Sequence, residues 1–149
     1  MDTTAADIAH LIQLAVAPVF LLAGIGSILN VLAQRLARVV DRARAIEAEF
    51  EKLEGKARER AVGDLKVLDL RMRTVNAAIT FCTASALFVC VVVAILFVAD
   101  LTDFAFARPI AWLFIIAMLL LIVGLLFFLR EIRVATRSVR VRPELLPPE

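Results

Sequence analysis

Tyrosine is absent from this 149-residue chain, histidine occurs once and cysteine twice. No Lys or Arg precedes Arg35, and no charged residue lies between Leu11 and Ala33. Each shortage removes a class of function. Cys82 and Cys90 sit eight residues apart in an apolar run, with no third or fourth ligand at metal spacing. They read as reduced thiols that pack as small residues. A cleavable signal peptide needs a basic start, and MDTTAADIAH offers only Asp2 and Asp7 as charges, so the first apolar run is expected to be retained. His10, three residues after Asp7, reads as an interfacial residue, with a proton-sensitive pair as the sharper alternative. There is no Gly-rich phosphate loop, no Ser-His or Cys-His arrangement and no acid/base pair, so neither an enzyme nor a cofactor is expected. A net charge of +2 gives no reason to expect nucleic acid as a partner.

What the chain does hold is apolar sequence. Hydrophobic residues make up 62% of it, against about 45–50% in soluble domains. An all-α integral membrane protein is predicted, with transmembrane helices over 11–33, 75–99 and 110–129. Each run is long enough for the ~30 Å hydrocarbon core of a bilayer. Pro18 lies inside the first span and frees the carbonyl of Leu14. Pro109 suits the first turn of the third helix. Phe104, Phe106 and Trp112 fall where an aromatic belt would lie.

The segment 34–74 changes period. Leu36, Val39, Ala43, Ile46, Phe50 and Leu53 recur at heptad spacing, and so do Ala61, Leu65, Leu68, Met72, Val75 and Ile79. Two such seams around Gly55, with Gly63 as a second candidate break, predict an antiparallel, coiled-coil-like helical hairpin. Gln34 to Arg73 holds 11 of the 17 Lys/Arg and residues 130–149 hold five, whereas the loop 100–109 holds only Arg108. The positive-inside rule then puts the hairpin and the basic tail 130–149 in the cytoplasm. Residues 1–10 and 100–109 fall outside, in a bacterial inner membrane.

Two sets of residues are candidates for function. On helix one, Gln13, Ala17, Phe20, Gly24, Ser27, Val31 and Gln34 form a stripe. Asn30, Ser27 and Gly24 match Asn76, Thr80 and Thr83 of helix two in depth. Small and polar residues of this kind serve as helix–helix glue or line a polar vestibule, with Phe20 as a hydrophobic constriction. Below the stripe, Arg35, Arg38 and Arg42 share an arc of about 60°. They suit an anion-favouring ring at a pore mouth or a headgroup-facing patch with Asp41 as a neighbour. Arg130, Arg133, Arg137 and Arg140 form a second basic face, for anionic headgroups or for Glu47, Glu51 and Glu54 of the hairpin. Helix three lacks polar side chains apart from the Trp112 indole, so it is expected at the periphery, with helices one and two central. The polar stripes predict a homo-oligomer. Two function classes remain: an ion channel lined by helix one, or a non-conducting scaffold or sensor whose hairpin binds a cytoplasmic partner.

The run PVFLLAGIGSILNVLAQRLARVVDRAR, from Pro18 to Arg44, resembles the bacterial membrane proteins of the domain of unknown function 2721 family. Pro18, Phe20, Leu21, Leu22, Gly24, Asn30, Arg35, Leu36, Arg38, Asp41, Arg42 and Arg44 carry the likeness. It extends over about Ile8 to Arg137 through the pattern of three spans and a charged hairpin. The resemblance implies this topology and directs attention to the junction of helix one with the hairpin. It implies no activity.

Overall fold

A computed structural model describes residues 5–102 and 107–138 as three helices. Helix α1 spans Ala5–Glu49, α2 Gly55–Thr102 and α3 Ala107–Ser138. A single 3₁₀ turn, Phe50–Lys52, joins α1 to α2. Among the described residues there is no strand. All three helices are long and apolar enough to cross a membrane, which makes this a multi-pass membrane protein.

Length settles part of the arrangement. At 1.5 Å per residue, the 45 residues of α1 and 48 of α2 extend about 70 Å. Hydrocarbon takes only ~30 Å of that. The charged ends of both helices, which meet at the turn, therefore stand clear of the apolar layer. The α1 helix runs through Pro18 without interruption. Gly55 has φ of 55°, a left-handed conformation that costs least without a Cβ, and it opens α2 right after the turn. Gly63, the other candidate break, lies inside α2, whose backbone bonds continue past it.

Three stripes build the core. On α1, Ile25, Leu32 and Val39 recur every seven residues, and on α2, Val75, Ala78, Cys82, Ser85, Val89 and Val92 recur at threes and fours; all are buried. On α3 the stripe is Ala117, Leu121, Gly124 and Glu131, also buried. Ile25 and Leu32 pack with Val75, Ala78, Cys82 and Leu121 in one cluster. Val39 and Ala43 pack with Leu68 in a second, nearer the turn, so α2 runs back along α1. The heptad residues of both seams are all buried or half-buried.

The expectation that helices one and two are central and helix three peripheral needs correction. The middle element is α2, which packs along both α1 and α3. Its seam with α3 is close because the facing residues are small. A Cβ on Gly124 would sit 2.7 Å from Cys82 Sγ and 3.3 Å from the Ala78 carbonyl oxygen. Ser85 Oγ donates to the Ala117 carbonyl at 2.7 Å across the same seam. Phe81 and Phe127 stack beside it, with ring centroids 5.6 Å apart. Segment ends shift as well. Helix α2 continues to Thr102 and α3 starts at Ala107, so the connection is shorter than 100–109, and residues 103–106, with Phe104 and Phe106, lie outside the described residues. Helix α3 also runs beyond 129 to Ser138, which makes the start of the basic tail helical.

Candidate functional site

The buried stripe of α3 ends on a charge. Glu131 follows Ala117, Leu121, Gly124 and Phe128 at fours and threes, so it points where they point, and its side chain is 0% exposed. A lone buried carboxylate is costly unless it is paired and hydrogen-bonded. Two arginines pair it. Arg35 of α1 donates to Oε2 at 2.9 Å, and Arg71 of α2 donates to Oε1 at 2.9 Å. One carboxylate thus ties three helices together at the level where the apolar runs give way to charge. Arg35 also lies over the Phe128 ring, 5.5 Å from its centroid, an attraction of about 0.5–2 kcal/mol depending on desolvation. Arg71 leaves its Nε buried without an acceptor, the one such side-chain atom among the described residues.

On the outer side of this node a groove of about 390 Å³ opens between α1 and α2. Arg35, Arg38 and Arg42 line it from α1 and Arg71 from α2, with Val31, Gln34, Val39 and Leu68 completing the walls. Arg38 and Arg42 are exposed. Among the described residues neither has an ion pair, and Asp41 is not drawn to Arg38 or Arg44. The groove is therefore rich in cation and poor in acceptor. Among the described residues, no three His, Cys, Asp or Glu side chains converge as a metal site would require.

The family model described as "Protein of unknown function (DUF2721)" matches residues 15–141, most of the chain and all of the node and groove. The chain belongs to this family. No curated protein and no solved structure matches it. Membership of the DUF2721 family brings no assigned activity.

The other candidates lie on exposed faces of α1 and α2. Gln13, Ala17, Phe20, Gly24, Ser27, Asn30 and Gln34 are all exposed on α1, and Phe20 is 74% exposed. Asn76, Thr80 and Thr83 are exposed on α2. Within the subunit, none of these polar side chains is bonded from helix one to helix two among the described residues. Ser27 donates to the Ala23 carbonyl, Thr80 to the Asn76 carbonyl and Gln34 to the Asn30 side chain, each within its own helix. Both polar faces are turned away from the subunit's own core. At the C-terminal end, Arg130 and Arg133 are exposed, the Arg137 side chain lies outside the described residues, and so does Arg140. Two ion pairs join α3 to the other helices among the described residues. An acid of α3 meets arginines of α1 and α2, and Glu47, Glu51 and Glu54 stay exposed.

Glu131 and Arg71 are the site residues that a reading of arginine stripes overlooks. Glu131 is the only acidic residue between Asp103 and Glu144. Its place on the heptad-like continuation of Ala117, Leu121 and Gly124 is the signal that finds it.

Proposed function

We propose that this DUF2721 member is a homo-oligomeric bacterial inner-membrane channel in which copies of α1 surround a central path. The reading places the N-terminus outside and the C-terminus in the cytoplasm, because 16 of 17 basic residues then lie inside. The α1–α2 ends form a cytoplasmic coiled-coil-like hairpin. No enzymatic step is part of this function. One observation carries the reading: the column from Gln13 through Phe20, Gly24 and Ser27 to Gln34 is exposed, and it leads directly into Arg38. Polar residues in a membrane span face another subunit or water rather than lipid. Phe20 then forms the constriction, and Arg35, Arg38 and Arg42 set a positive field at the inner mouth that favours anions. Planar-bilayer recording of the wild type and Arg38→Glu tests this. The channel reading predicts an anion-selective conductance whose selectivity falls or inverts in the variant. An unchanged selectivity, or no conductance from reconstituted oligomer, counts against it.

A second reading rests on a different observation. Val67 and Leu70, on the hairpin arm of α2, are 42% and 47% exposed. In a scaffold or sensor these side chains form part of a partner-binding face. Deleting Ala45–Lys66, or substituting Leu70→Asp, then abolishes capture of one defined cytoplasmic partner; retention of every bound protein contradicts this reading.

A further inference from the structure

We propose that the arginine groove between α1 and α2 binds an anionic phosphate ester, held by Arg38 and Arg42 against the Arg35–Arg71 pair. The first argument is charge. Four guanidinium groups line the groove, and the one carboxylate that meets any of them, Glu131, does so from the α3 side and is fully buried. Glu131 engages Arg35 and Arg71 and leaves Arg38 and Arg42 without an acceptor among the described residues. Arginine forks match the planar spread of carboxylate and phosphate oxygens. A phosphate group presents charged oxygens that such forks can share, as Arg35 and Arg71 already share the Glu131 carboxylate.

Height gives the second argument. The groove begins at Val31 and Gln34, where the uncharged run of α1 ends at Ala33. That is the level of lipid phosphates at the edge of a bilayer. Val31, Val39 and Leu68 give it apolar walls, which suit the glycerol and ester part of such a molecule. Its volume of about 390 Å³ falls within the usual range for ligand sites, about 300–1,000 Å³. The same chemistry can reach the groove from an anionic phospholipid headgroup or from free phosphate. The inference stands on the groove alone and requires neither conduction nor a particular subunit number.

The experiment uses the full chain, purified in a zwitterionic detergent, as wild type, R38Q/R42Q, R38K/R42K and the control R44Q. Retention of phosphatidylglycerol against phosphatidylcholine is read by native mass spectrometry. Protection from thermal unfolding by inorganic phosphate is read in parallel. Because Arg38 and Arg42 are exposed and support no other side chain, R38Q/R42Q is expected to fold. A phosphatidylglycerol preference that drops roughly 30-fold in R38Q/R42Q, as expected for about 1 kcal/mol from each basic residue at the surface, supports the site with lipid as its source. The lysine variant keeps part of that preference. Phosphate protection lost in R38Q/R42Q, without a lipid preference, supports the site with free phosphate as its source. Binding of neither probe, equal binding by R38Q/R42Q and wild type, or an equal loss in R44Q overturns the proposal. Conductance enters none of these readouts, so the channel reading stands or falls separately.

Discussion

Two regions of this molecule are rich in small residues at mid-membrane depth, and only one of them is packed. At the seam of α2 and α3, Gly124 has Cys82 Sγ within 2.7 Å of where a Cβ would stand. On α1, the exposed Gly24 and Gly26, to either side of the buried Ile25, have nothing within 4 Å. Ser85 spends its hydroxyl across the first seam, whereas Ser27 turns its hydroxyl back onto its own helix. Glycine and serine in a span therefore do not identify an interface by themselves. In the seam they explain how two helices of one subunit approach. On α1 they form a face that the subunit leaves uncovered, and a second copy is the occupant we propose for it.

Substitutions should separate the two regions. The largest effect is expected at the base of the packed seam. Glu131→Leu leaves the half-buried Arg35 and Arg71 without their shared carboxylate, and losing their two charge-assisted hydrogen bonds costs about 3 kcal/mol. Unfolding by SDS titration in mixed micelles measures it, and a loss below about 1 kcal/mol contradicts the three-helix tie. Gly124→Ala comes next. The added methyl meets Cys82 Sγ as well as the backbone, with Cys82 N at 3.2 Å, and overpacking of that sort costs about 1–3 kcal/mol. The same titration reports it. Ser85→Ala removes only the hydrogen bond to Ala117, worth about 0.6 kcal/mol in a membrane. The smallest change in subunit stability is expected on the open face. Gly24→Ala should stay within about 0.5 kcal/mol of wild type but weaken association, visible as a shift toward lower mass in size-exclusion chromatography with light scattering. Equal destabilisation by Gly24→Ala and Gly124→Ala would erase the distinction between the two regions.

Much of this arrangement is legible in local pattern. Apolar run length marks three spans, and the seven-residue recurrence of Ile25, Leu32 and Val39 marks the inner face of α1. Gly55 marks the reversal because a positive φ favours glycine. These features depend on residues close together in the chain. The node does not. Arg35, Arg71 and Glu131 are separated by 36 and 60 positions, and each sits in a segment whose nearest charges suggest a solvated basic surface. Only the continuation of the α3 stripe past Leu129 shows that Glu131 turns inward. The Gln13–Gln34 stripe is equally visible in sequence, but its direction is not. Whether it faces α2 or points away depends on the rotation of α1 in the bundle, which Ile25, Leu32 and Val39 set by burying a different side of the helix.

Other copies of this chain are the cover we propose for the open face of α1. Native mass spectrometry from lipid nanodiscs measures it most directly. One defined oligomer is expected, large enough to enclose a path between copies of α1 and diminished by Gly24→Ala. A monomer or dimer that is unchanged by Gly24→Ala would contradict it.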